Sequence, residues 1–216
     1  MLPQVASTDD DTLASYLFEF EGHPWDSYKE HSDLTPYLIL VLLDILERSG
    51  FKLECRANIR GMLDALFFIK QSPPANSTLR TVRIGFSLCH QNTFRIYGGT
   101  VNFCNWIRDL LQQLWISGVA SEKQVSFVSS DKRESESGSP IDVNFTEVKF
   151  HGTPFCIPEW NKDNFLAAQY MIGRFVGILS LIGWRLLASL NVYSSPYDKG
   201  VLIFEKDMVS VLFNHK

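Results

Sequence analysis

The sequence lacks the features that would assign it to several large classes of protein. Its 216 residues include only four cysteines, and no two of them form a C-x-x-C pair. Scattered cysteines without a secretion signal are typical of reduced thiols, so we expect a protein of the cytoplasm or the nucleus that is not secreted. The chain has 20 basic and 24 acidic residues and a net charge of -4. This balance gives no strong basic field for a phosphate backbone, so we expect no nucleic-acid partner.

Long hydrophobic segments are also missing. The longest apolar runs, at 37–43 and 175–184, fall well short of the roughly 20 residues that span a bilayer. The first residues, MLPQVASTDDD, are acidic and have neither the positive region nor the apolar region of a secretory signal. We therefore expect no membrane span.

What the chain does contain is a globular composition and two segments with a similar pattern. Residues 18–25 (FEFEGHPW) and 148–155 (VKFHGTPF) both alternate apolar and polar residues and then reach Gly-x-Pro-aromatic. Alternation is typical of a strand with one buried face, and Gly and Pro then turn the chain. Each copy therefore begins with a predicted strand.

A predicted helix and two further strands follow in each copy. The helices cover about 33–49, with Asp33 as N-cap, and about 162–182, and each is followed by a glycine. The strands that follow begin with GFKLECRAN at 50–58 and GWRLLASLN at 183–191. The shared order predicts an internal repeat of two βαββ units.

The pattern of a helix ending in Gly-Trp-x-Leu, at 183–186, followed by two strands that end in an aromatic and a base, resembles small bacterial βαββ domains of unknown function. The resemblance covers only part of each repeat. It implies a βαββ fold and no particular chemistry.

Between the two copies, residues 81–88 and 93–97 alternate as strands, and a helix is predicted from Thr100 to Trp115. We predict an α+β fold of internally duplicated βαββ units with a bridging ββα block, a mostly antiparallel sheet, and helices on one face. Gly173 and Gly177 are expected to let their helix pack closely on that sheet.

The predicted organisation has seven parts. They are a flexible N-terminal tail (1–14), a first repeat (15–70), a linker (71–79), a bridging ββαβ block (80–128), a flexible serine-rich loop (129–142), a second repeat (143–208) and a C-terminal tail (209–216).

No motif in the sequence predicts an enzyme, a cofactor or a metal site. Cys89-His90, His151 and Cys156 have ligand chemistry but not the spacing of a zinc site, so buried cysteines and surface histidines are favoured. Cys104 lies in the first turn of the middle helix, where the helix dipole would lower its pKa, although a half-buried structural cysteine is favoured. The segment 98–100 (GGT) lacks the lysine of a phosphate-binding loop.

The favoured function is a non-enzymatic intracellular protein-interaction protein, an adaptor or a scaffold, with an unidentified protein partner. Aromatic residues in the loops are its candidate contacts. These candidates are Trp25, Phe155 and Trp160. The serine-rich loop adds candidate phosphorylation sites, which are Ser135, Ser137 and Ser139.

The alternative is a small-molecule-binding domain with a cleft between the two repeats. Its candidate lining is Phe51, Asn58, Trp184 and Asn191. A small basic patch of Arg80, Arg83 and Arg95 resembles a sheet that reads RNA only loosely, and ordinary solvated cross-strand positions explain it.

Overall fold

In a computed structural model of the protein, the residues described are 4–6, 15–17, 32–58, 64–71, 80–128, 142–156, 160–191 and 200–208. The three α-helices in this part of the chain are α1 (Thr35–Arg48), α2 (Val101–Leu114) and α3 (Lys162–Leu181). The strands are β1 (Gln4–Ala6), β2 (Ser15–Leu17), β3 (Phe51–Asn58), β4 (Asp64–Lys70), β5 (Arg80–Cys89), β6 (Thr93–Tyr97), β7 (Val119–Val128), β8 (Asp142–Phe150), β9 (Arg185–Leu190) and β10 (Val201–Met208).

Six of these strands form one sheet in the order β7-β8-β6-β5-β10-β9, and every neighbouring pair is antiparallel. Strand β5 lies at the centre, where Gly85 is opposite Tyr97 on one side and Ile203 on the other. The pairs β1-β2 and β3-β4 form two separate two-stranded sheets. The six-stranded sheet is therefore the main sheet of the described chain, and the helices pack on its two faces.

Helices α2 and α3 cover one face of the main sheet through an aromatic core. The ring of Phe86 on β5 lies 5.1 Å from Phe175 on α3, 5.4 Å from Phe94 on β6 and 5.6 Å from Phe204 on β10. All four side chains are fully buried. Burying a phenylalanine contributes about 1.5–3 kcal/mol, so this cluster is a major source of stability.

Helix α1 covers the opposite face of the same sheet. Its buried residues Ile39, Leu40 and Leu43 share a second core cluster with Tyr97 and Ile203. The hairpin of β3 and β4 joins this cluster through partly buried leucines and a phenylalanine. Successive side chains of a strand point to opposite faces, so β6 and β10 contribute alternate residues to the two cores.

Glycines end α1 and α3 where the sequence predicts, whereas the predicted N-cap of α1 is wrong. Gly50 and Gly183 follow α1 and α3 with φ of 83° and 89°, a conformation that favours glycine. The Lys206 Nζ donates to the carbonyl oxygen of Ile182 at 2.7 Å, which satisfies a terminal carbonyl of α3. Asp33 does not cap α1, since the N-cap is Leu34 and makes no side-chain hydrogen bond.

The predicted α+β class and mostly antiparallel sheet are confirmed. The helices do not share one face, however, because α1 packs on the face opposite α2 and α3. The internal duplication is not confirmed. Strands β9 and β10 belong to the main sheet, whereas β3 and β4 form a separate hairpin.

Several predicted segments lie outside the described residues. These are the first strand of the first repeat at 18–25, nearly all of the linker, the serine-rich loop from 129 to 141 and the residues after 208. Among the helices that are described, none combines the length and hydropathy needed to cross a membrane.

We expect Gly200→Ala to destabilise the protein by more than about 2 kcal/mol. Gly200 has φ of 84°, and an added Cβ would collide with the backbone carbonyl oxygen of Leu190. Gly177→Ala is the matched control, because nothing lies within 4 Å of its added Cβ and alanine favours a helix by about 1 kcal/mol. Urea unfolding of both variants measures the difference, and equal midpoints would contradict the assigned strain.

Candidate functional site

The three predicted interaction aromatics do not form one exposed patch. Phe155 is only 5% exposed and packs edge-on against Phe150, with ring centroids 5.6 Å apart. Trp160, just before α3, is 62% exposed. Trp25 lies outside the described residues. Of the described pair, only Trp160 is positioned to contact a partner.

The four predicted cleft residues are not brought together either. Trp184 is buried in the core under α2 and α3, where its ring lies 5.4 Å from Phe103. Phe51 begins β3, which packs with α1 on the other side of the main sheet. Asn58 is at the far end of β3, and Asn191 follows β9. The sheet therefore separates Trp184 from Phe51.

The outer surface of α3 carries an apolar stripe that the sequence analysis missed. The buried residues of α3 are Ala168, Met171, Phe175 and Leu179. On the opposite side lie Leu166, Tyr170, Gly173, Gly177 and Leu181, which we call the α3 outer stripe. Tyr170 is 68% exposed and Leu181 is 87% exposed. Helix α3 thus has apolar residues on its solvent-exposed side as well as on the side that packs against the sheet.

The two glycines lie at the centre of the α3 outer stripe. We expected them to pack against the sheet, but both are exposed and nothing lies within 4 Å of a Cβ added to either one. Each is two residues from Phe175, which places it about 200° around the helix from that core residue. The guanidinium of Arg174 lies 5.9 Å from the centre of the Tyr170 ring, beside this glycine surface.

Other exposed apolar side chains lie on the same helical layer. Of the fourteen large hydrophobic residues that are exposed in the described chain, eight lie in α2 or α3 or within two residues of their ends. They are Val101, Trp106, Ile116, Trp160, Leu166, Tyr170, Leu181 and Ile182. Such a concentration of exposed apolar and aromatic residues is typical of a protein interface.

A small cavity of about 110 Å³ lies at the N-terminal end of α2. Its lining includes Gly99, Cys104, Gln124 and Thr146. The Thr146 hydroxyl is already occupied by the side chain of Gln124, with Nε2 donating at 2.8 Å. Thr100 caps α2 by accepting from the backbone N–H of Phe103. The side chains of Thr100, Gln124 and Thr146 are thus engaged in hydrogen bonds within the protein.

Burial raises the pKa of two cysteine thiols, those of Cys104 and Cys89. It raises the pKa of Cys104, against the expectation that the helix dipole would lower it. Burial also raises the pKa of Cys89 to about 12, although the charge of Arg95 acts in the opposite direction. Among the described residues, no group of three His, Cys, Asp or Glu side chains could hold a metal ion.

Two arginine clusters join α1 to the sheet, and the first surrounds Arg95. The Arg95 Nε donates to the Glu147 carboxylate at 2.9 Å, and its Nη1 pairs with Asp33 just before α1. Glu147 also lies 3.0 Å from Lys123. Although burial favours its protonated form, the hydrogen bonds from Arg95 and Lys123 outweigh that effect and lower the pKa of Glu147.

The second cluster surrounds Arg83 near the C-terminal half of α1. Its guanidinium lies 2.7 Å from Asp44 and 3.0 Å from Glu47 of α1, and 3.5 Å from Glu205 of β10. Glu205 also pairs with Arg185 on the edge strand. The side chains of Arg83 and Glu205 are more than nine-tenths buried. Arg83 and Arg95 therefore do not form a solvated basic patch.

One protein-family model matches residues 1–71 and 84–205 of the chain. This is well over half of the sequence, so the chain belongs to that family, whose description is of a domain and states no activity. No curated protein and no solved structure matches the chain significantly.

We expect Glu147→Gln to lower stability at neutral pH by about 1 kcal/mol, because Arg95 and Lys123 lose a charged acceptor. The pKa of Glu147 is depressed in the folded state, so its contribution is present above the ordinary glutamate pKa and is lost as the pH falls through the folded value. Urea unfolding at a series of acidic pH values measures how the free energy of unfolding changes with pH. The variant is expected to lose less stability than the wild type on acidification, and the exposed Glu54→Gln control is expected to follow the wild type.

Thiol labelling at neutral pH is expected to modify Cys55 first. Cys55 is exposed on β3, whereas Cys89, Cys104 and Cys156 are buried. Iodoacetamide reacts with an accessible thiolate, so the three buried thiols are expected to react at a comparable rate only in denaturant. Peptide mass spectrometry after timed labelling provides the measurement. Labelling of Cys104 in the native protein as fast as Cys55 would overturn the assigned burial.

Proposed function

We propose that this protein is an intracellular protein-interaction domain, and that its outer helical layer binds a helix of a partner protein. The observation that carries this proposal is the α3 outer stripe, in which large exposed apolar residues flank two exposed glycines. The proposal retains the favoured function from the sequence but moves the site from the aromatic loops to α3.

The glycines support the proposal through their cost to the isolated protein. A glycine in the interior of a helix is less favourable than alanine by about 1 kcal/mol, and α3 contains two on its solvent side. Neither contacts another element of the described chain, so close packing within the fold does not account for them. A helix surface without side chains lets a second backbone approach closely.

The large residues supply the apolar contact area on both sides of this glycine surface. Leu166 and Tyr170 lie toward the N-terminal end of the stripe, and Leu181 lies at its C-terminal end. Because residues separated by three or four positions share one helix face, a partner helix lying along α3 would contact the whole stripe. Tyrosine is enriched in such binding sites, so Tyr170 is the proposed principal contact.

Charge adds a requirement on the partner. Arg174 lies beside the glycines, and no carboxylate among the described residues forms a salt bridge with it. A partner helix with an acidic residue opposite Arg174 would complement this surface. The four free cysteines agree with the intracellular part of the proposal.

Replacing Tyr170 and Leu181 together by serine is expected to weaken partner binding at least tenfold, since loss of a central interface residue has an effect of about this size. Both side chains are exposed, so circular dichroism is expected to show an unchanged fold. Proteins retained from cell extract by the wild-type domain are then purified singly, and their affinity for each variant is measured by calorimetry.

The matched control replaces Phe67 and Ile69, two exposed apolar residues of β4, by serine. This control removes a similar apolar surface from a different part of the molecule and is expected to retain full affinity. If the control and the α3 variant lose affinity equally, or if no purified protein binds the wild type saturably, the proposal is wrong.

A further inference from the structure

The layer formed by α1 and the β3–β4 hairpin is attached to the main sheet through side chains. Strand β3 pairs with β4 over its whole length, and neither strand belongs to the six-stranded sheet. The backbone of the hairpin closes on itself, since the N–H of Gln71 donates to the carbonyl of Gly50 at 2.8 Å. Separation of this layer would therefore leave the hydrogen-bonded ladders of the main sheet intact.

The rest of the described chain has a core that does not involve this layer. The aromatic cluster between the main sheet and the helices α2 and α3 contains no residue of α1, β3 or β4. An element that opens while the rest stays folded requires such an independent core. The second cluster, under α1, is the one that opening would disrupt.

The ionic contacts of α1 are arranged so that the sheet remains charge-balanced without it. Glu205 has Arg185 as a second partner, and Glu147 has Lys123. The α1 carboxylates of Asp44 and Glu47 are each 45% exposed, so they are already largely hydrated in the docked state. Losing α1 therefore exposes Arg83 to water but leaves Glu205 and Glu147 each with a basic neighbour.

Docking of α1 also leaves polar atoms unsatisfied beneath it. Within the described chain, the Nε of Arg83 and the hydroxyl of Ser87 are buried and have no hydrogen-bond partner. Ser87 is on the same face of β5 as Arg83, two pairs of residues further along the strand. Hydration of these atoms on opening would offset part of the lost apolar contact.

We infer that α1 and the β3–β4 hairpin form one unit that opens from the main sheet while the sheet, α2 and α3 remain folded. In the closed state, the ion pairs between Arg83 and the α1 carboxylates hold this unit on the sheet. Opening exposes an apolar sheet surface that includes Tyr97, Phe145 and Ile203. This opening of α1 and the hairpin does not involve the α3 outer stripe, because that stripe lies on the opposite side of the sheet.

Hydrogen exchange of the full chain, followed by mass spectrometry, tests the inference. In the wild type, peptides from α1, β3 and β4 are expected to exchange together and faster than peptides from β5, β6 and β10. Arg83→Met is expected to accelerate exchange of α1, β3 and β4 by roughly tenfold or more, the effect of losing a charge-assisted hydrogen bond. The sheet peptides are expected to change less.

Arg108→Met is the matched control, because Arg108 forms comparable ion pairs with Asp109 and Glu122 away from α1. It is expected to leave the exchange of α1 unchanged. If Arg83→Met fails to fold, raising the salt concentration on the wild-type protein serves instead, because half-exposed ion pairs are screened. Uniform exchange of all elements in the wild type, or a salt effect equal in the sheet and in α1, would show that no separate unit opens.

Discussion

The position of α1 depends on two arginines that project from the centre of the main sheet. Arg83 and Arg95 are largely removed from water, and a buried guanidinium is strongly unfavourable unless carboxylates surround it. Asp33, before α1, pairs with one of them, and the carboxylates of its C-terminal half pair with the other. These two contacts set the direction of the helix on the sheet. Between them, the Leu40 side chain of α1 packs over Gly85, where an added Cβ would lie in van der Waals contact with it at 3.4 Å.

The two faces of the sheet are therefore stabilised by different interactions. The face under α2 and α3 is aromatic, and its edge-to-face rings pack by dispersion and burial that salt does not screen. The face under α1 combines a smaller apolar cluster with ion pairs whose outer partners contact water. Local stability follows such differences in packing and solvent access. One layer is thus suited to serve as a fixed scaffold, and the other is suited to open.

Local signals in the sequence predicted the elements well, because they act within a few residues. Gly50 and Gly183 end helices, and the Thr100 side chain accepts a hydrogen bond from a backbone N–H group at the start of α2. The placement of α1 was not predicted, because β5 alternates apolar and polar residues, a pattern typical of one buried and one solvated face. Here the polar positions are buried by long-range ion pairs. The signal that was present is the pair Arg83 and Gly85 on one strand face, which is unusual for a solvated surface.

The same reasoning explains why the candidate site on α3 was missed. Gly173 and Gly177 were interpreted by their spacing from each other, which indicates close packing but not its direction. Their spacing from Phe175 determines the direction, because two residues along a helix turn a side chain to the opposite side. The side of α3 that packs on the sheet is formed by other residues, which are Ala168, Met171, Phe175 and Leu179. The two glycines therefore do not contribute to the core. The proposed helix-binding surface therefore lies on the layer with the larger aromatic core, which would hold the contact surface in place before a partner arrives.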